Sequence, residues 1–180
     1  MIKFFTAGES HGKSLSAMIE GFPSNLKINF ENINKELKRR QGGYGRGGRM
    51  KIESDEIEVL SGIRFGKTLG TPISLLIRNY DWENWSDIMS AKIKRKAEKI
   101  TIPRPGHADL VGVSKYNYND IRNSIERSSA RETAARVAVG ALAKELLSRF
   151  GINITSFVES IGGIYPAEPY YDKLLKKGKI

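Results

Sequence analysis

Ala130-Arg131-Glu132-Thr133-Ala134-Ala135-Arg136-Val137-Ala138-Val139-Gly140-Ala141-Leu142-Ala143-Lys144-Glu145-Leu146-Leu147-Ser148-Arg149-Phe150 is the stretch around which the rest of this sequence must fold. Ala, Val and Leu lie on nearly every face of the helix it encodes, and a helix that is apolar all round belongs in a core. Gly151 stands where a helix takes its left-handed stop. At the other end, Ser129-Ala130-Arg131-Glu132 has the pattern of a capping box: Ser129 accepts from the Glu132 amide and Glu132 reaches back to the Ser129 amide.

Flanking segments supply the strands such a helix needs. Residues 1–20 read as a strand, a polar loop from Ala7 to Lys13, and a second strand in which Leu15, Ala17 and Ile19 alternate with Ser16, Met18 and Glu20. Gly21 and Pro23 end it. A short amphipathic helix is expected over 32–41, capped by Asn32 and turning Ile33, Leu37 and the stem of Arg40 inward. Residues 50–78 read as a β-meander of Ile52, Ile57-Val59, Ile63-Phe65 and Ile73-Ile77. A last strand is expected over 152–161, followed by a turn at Gly162-Gly163. With no repeat and no linker, the residues predict a single mixed α/β domain of the α+β kind over 1–180. The tail Lys173-Leu174-Leu175-Lys176-Lys177-Gly178-Lys179-Ile180 reads as a chain interrupted in mid-course.

Composition narrows the function classes. The chain has 180 residues, no cysteine and two histidines, which removes disulfides, thiolate zinc sites and cysteine nucleophiles, and no metal is expected. No apolar run is long enough to span a bilayer, and Met1-Ile2-Lys3-Phe4-Phe5 lacks the apolar stretch of a signal peptide, so a cytoplasmic protein away from membranes is expected. The net charge of +10 implies an anionic partner. Part of that surplus, the cluster Lys92, Lys94, Arg95, Lys96 and Lys99, reads as a solvated face.

Four segments carry candidate chemistry. In Gly8-Glu9-Ser10-His11-Gly12-Lys13-Ser14 only three residues separate the glycines and a strand follows, so this is not a phosphate-binding P-loop. It presents His11, beside Glu9 and Ser10, as a proton-transferring general acid or an anion ligand. The second histidine, His107, follows Ile102-Pro103-Arg104-Pro105-Gly106, whose prolines restrict the backbone and hold the side chain in place. Both histidines thus sit in glycine-bounded loops, which favours chemistry over packing. Residues 42–49, Gly-Gly-Tyr-Gly-Arg-Gly-Gly-Arg, allow two readings. One is an anion clamp of Arg39, Arg40, Arg46 and Arg49, each guanidinium offering a forked donor pair. The other is an RNA-binding arm using charge and stacking on Tyr44. The clamp is favoured, because the segment is a single short pass between regular elements. Arg127-Ser128-Ser129-Ala130-Arg131 stands at the start of the long helix, where free N–H groups favour anions.

Taken together, Gly8-Glu9-Ser10-His11-Gly12, Arg39 to Arg49, Arg104-Pro105-Gly106-His107-Ala108-Asp109 and Arg127-Ser128-Ser129-Ala130-Arg131-Glu132-Thr133 closely resemble the chorismate synthase family, in the family's order, up to about Gly163. The resemblance implies a layered β-α-β sandwich of antiparallel sheets around central helices and a homotetramer. It implies a lyase of the shikimate pathway to aromatic amino acids, forming chorismate from 5-enolpyruvylshikimate 3-phosphate by anti 1,4-elimination of phosphate. Reduced FMN is required, and NADPH serves as flavin reductant in some members. By the same resemblance His11 protonates the departing phosphate and His107 meets the reduced flavin. Arg40, Arg46, Arg49 and Ser10 belong to the substrate or NADP site, and Arg127, Ser128 and Ser129 contact FMN. Many members carry a glycine-rich stretch where this chain has Arg122-Asn123-Ser124-Ile125-Glu126. They also run much further, their C-terminal half supplying more flavin contacts and an acidic group that assists proton removal.

Overall fold

A computed structural model describes residues 1–43, 48, 52–92 and 97–166. Arg46, Arg49, Tyr44, the middle of the basic cluster (Lys94, Arg95 and Lys96) and the lysine-rich tail lie outside these residues. The chain divides into two compact units, Met1–Leu146 and Leu147–Ile180.

The first unit is built on a four-stranded antiparallel sheet in the order β1-β2-β6-β3, formed by β1 (Lys3–Ala7), β2 (Ser14–Glu20), β6 (Ile73–Arg78) and β3 (Glu58–Ser61). Register follows the apolar alternation: Leu15 faces Ile77, Ala17 faces Leu75 and Ile19 faces Ile73. A one-residue slip would turn that whole set to the other face. Onto it pack α1 (Phe30–Gln41), through Ile33 and Leu37, and α5 (Thr133–Ser148), through Ala134, Ala135, Ala138, Val139, Ala141 and Leu142. Each of these fully buried Leu or Ile side chains contributes about 1.5–3 kcal/mol. The small residues of α5 let it lie close to the strands. Val137, Ala143, Leu146 and Leu147 of α5 are half-buried, and large apolar side chains are exposed on the opposite face of the sheet, where Phe5 pairs with Met18.

Several local expectations are corrected. Residues 50–78 are not a simple meander: β6 inserts between β2 and β3, and β4 (Ile63–Arg64) with β5 (Lys67–Thr68) forms a separate hairpin. Thr68 ties that hairpin to the 23–26 segment, donating its hydroxyl to Pro23 O and accepting from the Leu26 amide. Helix α1 starts two residues early, because Asn29 is extended and its side chain accepts from the Glu31 amide. Asn32, the expected cap, donates instead to the buried Glu145 on α5. The capping box is replaced by a 3-10 turn, Ala130–Glu132, in which the Ser129 hydroxyl accepts from the Arg131 amide. Glu132 turns away to accept from Thr6 and Arg136.

In the second unit, Gly151 (φ +71°) ends the helix as expected, its amide donating to Ser148 O while the Ile152 amide donates to Leu147 O. The strand expected over 152–161 is absent; only Ile161 and Ile164 bridge, around Gly162 and Gly163. A β-prone run becomes a strand only when a neighbour takes up its ladder of N–H and C=O groups.

Candidate active site

The His11 loop is the turn between β1 and β2. Gly8 makes it, at φ +111°: a Cβ there would lie 2.5 Å from Ser14 O, so no other residue fits without moving backbone. Asn79, just past β6, holds the loop from below by donating to Gly12 O at 2.7 Å and Glu9 O at 3.2 Å. From the other side comes α4 (Arg122–Ser128), through Glu126. The Ser10 amide donates to Glu126 O at 3.0 Å, and the His11 amide to its carboxylate at 2.7 Å. His11 Nδ1 lies 2.9 and 3.0 Å from the two carboxylate oxygens. Trp85, ending α2 (Trp82–Trp85), stacks on the imidazole at 3.9 Å, and the Arg122 guanidinium lies 5.5 Å over the same indole. Among the described residues no hydrogen bond engages Nε2, and the His11 side chain keeps about a fifth of its surface open.

Beneath the loop runs a buried ion network. Arg131, 4% exposed, donates from Nε to Asn79 Oδ1 at 2.8 Å, from Nη1 to Asp55, and from Nη2 to Glu53 at 3.4 Å and Arg78 O at 3.1 Å. Arg40 joins it through Asp55 at 3.3 Å, and spends Nε on Thr133 Oγ1 and Nη2 on Ala130 O. Only a tenth of its side chain is exposed. Arg40 therefore fastens the end of α1 to the turn before α5.

His107 is exposed on a loop pinned by its neighbours. The buried Asp109 carboxylate accepts from the Arg104 amide, Nε and Nη2, each at 2.9 Å. Those bonds from the Arg104 side chain hold the Asp109 pKa down to about 2 from 3.8. Since the folded value is the lower one, the stabilisation is complete above about pH 4 and is lost as pH falls toward 2. Asp109→Asn is expected to abolish that part of acid destabilisation, read as a smaller drop in urea midpoint between about pH 6 and about pH 3.

Asp109 starts α3 (Asp109–Tyr116), which packs on α4. At their crossing a Cβ on Gly112 would lie 2.1 Å from Ser124 Oγ and 2.7 Å from Ser124 Cβ. Gly112→Ala is expected to cost about 1–3 kcal/mol by forcing the helices apart, and Ser124→Gly in the same chain should recover part of it, both measured by chemical denaturation.

Between these elements lies a cavity of about 920 Å³ lined by, among others, Glu9, Lys115, Arg122, Glu126, Arg127 and Ser128. Ser128 donates its hydroxyl to Ser124 O at 2.7 Å, and Arg127 donates to Thr6 O at 3.0 Å. Arg127 and Ser128 belong to the last turn of α4 rather than to the start of the long helix, as their order suggested; Ser129 caps the turn that precedes α5. α4 is the common element of the site. It carries Glu126 against His11, and its Ser124 Oγ donates to the carbonyl of Ala108, next to His107.

Glu126, Trp85 and Asn79 escaped the sequence reading as site residues, and Arg131, read there as part of an anion-binding turn, is engaged in the buried network instead. Their local signals were weak: a Glu in an ordinary helical segment, a Trp in a short polar turn and a lone Asn after a strand. Their partners are 52 to 115 residues away.

A family model described as chorismate synthase matches residues 2–179, including the glycine-arginine segment, so that segment is internal to an enzyme family rather than an appended RNA arm. The chain is 60% identical over 182 residues to the chorismate synthase of Chlorobium phaeovibrioides (strain DSM 265 / 1930), covering 99% of this chain and 46% of that protein. It is 63% identical over 163 residues to that of Aquifex aeolicus (strain VF5), covering 89% of this chain and 41% of that one. A crystal structure of a chorismate synthase superposes with TM-score 0.70 at 50% identity, over 96% of this chain and 40% of that one. The chain thus spans less than half the length of these relatives. The mixed helices and antiparallel strands are the α+β class expected.

Proposed function

We propose, from the premise that this chain belongs to the chorismate synthase family, that the full-length protein is a lyase forming chorismate from 5-enolpyruvylshikimate 3-phosphate. The observation that carries this reading is the family match from residue 2 to residue 179. In the 1,4-elimination, the C–O bond to phosphate breaks with its electron pair leaving on the phosphate oxygen. A proton leaves the ring, and the conjugated diene of chorismate remains. His11 Nε2 delivers a proton to the departing oxygen, which turns a poor leaving group into a better one. The base that takes the ring proton is assigned to the C-terminal portion its relatives carry.

The cavity residues fit an anionic, partly aromatic cofactor. Lys115, Arg122 and Arg127 supply cations, and Tyr116 and Tyr118 supply apolar faces with hydroxyl tips. Arg122 Nε is buried with no hydrogen-bond partner among the described residues, a donor left for a ligand. We assign Arg127, Ser128 and Ser129 to holding reduced FMN, and His107 to hydrogen-bonding or protonating it. When bound, the reduced flavin is required by the elimination without net redox change. Arg40, Arg46 and Arg49 are assigned to the substrate's carboxylates and phosphate, with Arg40 and Arg46 also meeting NADPH as flavin reductant. Ser10 is assigned to the same substrate or NADP site as Arg40, which also fastens the end of α1 to the turn before α5. The assembly is proposed to be a cytoplasmic homotetramer.

The test is an anaerobic assay, with reduced FMN, of a version carrying the C-terminal part that its relatives have. Phosphate and chorismate are expected to appear in equal amounts. Absence of both, in a protein that binds the flavin and is folded by circular dichroism, would overturn the reading. No helix among the described residues is long and apolar enough to cross a membrane.

A further inference from the structure

We infer that Glu126 is the positioning residue of His11: it holds the imidazole as the Nδ1–H tautomer and leaves Nε2 as the end that meets the reactant. The inference rests on the proposed function for its consequence, but not for its evidence.

Glu126 is 2% exposed, and its carboxylate spans two donors of one residue, the His11 amide at 2.7 Å and Nδ1 at 2.9 Å. A carboxylate oxygen only accepts, so Nδ1 must carry the hydrogen, and the tautomer of an imidazole is set by the bond its other nitrogen makes. When Nε2 also holds a proton, the ring is a cation whose charge the carboxylate offsets. After Nε2 gives that proton up, Nδ1–H remains bonded and the ring does not turn. Trp85 closes one face at 3.9 Å and excludes the rotations that a single bond would permit.

Apart from the His11 amide, the loop does not depend on the carboxylate. Ser10 is held by the backbone carbonyl of residue 126, and Glu9 and Gly12 by Asn79, and these bonds survive a change of the side chain. Glu126→Gln therefore alters the ring's partner and little else. If the amide oxygen keeps the His11 backbone N–H, its NH2 group faces Nδ1, donates to it and drives the proton to Nε2.

Nitrogen-15 NMR of the full chain at about pH 9, above the ordinary histidine range, reads this directly. With only two histidines in the sequence, exposed His107 serves as internal reference. His11 is expected as Nδ1–H in the unaltered chain, as Nε2–H or a mixture in Glu126→Gln, and again largely as Nδ1–H in Glu126→Asp. In the version extended as its relatives are, Glu126→Gln is expected to lower kcat by about 10²- to 10⁴-fold with KM little changed, as for a proton-transferring histidine set in the wrong tautomer. Glu126→Asp should restore part of it. An unchanged Nδ1–H signal in Glu126→Gln overturns the inference, as does an inverted tautomer with undiminished kcat. An inactive unaltered enzyme condemns the proposed reaction instead, while the tautomer measurement still judges Glu126.

Discussion

Arg131→Ala is expected to lower the free energy of unfolding by about 3–5 kcal/mol, the range for breaking a buried ion pair from one side. The Arg131 side chain is 2% exposed, and its guanidinium meets Glu53 and Asp55, whose side chains are fully buried. Removing it leaves Asp55 to Arg40 and takes from the buried Glu53 carboxylate a charged donor, while the Tyr80 amide still donates to it. The same deletion releases Asn79 Oδ1, and with it the side chain that holds Gly12 O and Glu9 O. The effect therefore reaches the His11 loop as well as the core. Urea denaturation of Arg131→Ala should show a lower midpoint with an unchanged slope. Arg131→Lys should recover little, since one ammonium does not reach Asn79, Asp55, Glu53 and the Arg78 carbonyl from a single position. A loss under about 1 kcal/mol in the alanine variant would mean that Arg40 and water replace the guanidinium, contrary to the burial seen.

His11→Ala is expected to reduce kcat of the extended enzyme by about 100-fold or more, the contribution of a lost general acid, with stability little altered. The ring is partly open to solvent and its loop is held by backbone bonds from residue 126 and Asn79, so alanine removes the proton donor without removing the support. Anaerobic phosphate release with reduced FMN measures it, alongside a denaturation curve on the same sample. An unimpaired rate would remove His11 from the proton transfer. A fall in both rate and stability would point to packing against Trp85 rather than to chemistry.

How much of this was legible beforehand follows from the range over which each feature is encoded. The strand pair around the His11 loop, the buried faces Leu15-Ala17-Ile19 and Ile33/Leu37, the long helix and its stop at Gly151 are all set by neighbours within a few residues, where alternation, helical spacing and turn chemistry act directly. The two histidines stood out for the same reason, since each lies in a short loop whose glycines and prolines are local. Cap details failed where a distant group competed: Asn32 was drawn to Glu145, and Glu132 to Thr6 and Arg136. The strand over 152–161 failed because β-propensity describes fitness for a ladder and not the presence of a partner.

The site divides along the same line. Residue types and their spacing, by themselves, determined that this chain carries two loop histidines, an arginine-glycine segment and an Arg-Ser-Ser turn before a buried helix, in the order of one enzyme family. Only the tertiary structure decided that Glu126 grips His11 across 115 residues, that Trp85 stacks on its ring, and that Arg40 spends its fork on Asp55, Thr133 and Ala130. A carboxylate or guanidinium has the same local signature whether it faces water, a ligand or a buried partner. What distinguishes those cases is the desolvation and pairing that the folded chain imposes, and no neighbour in sequence reports it.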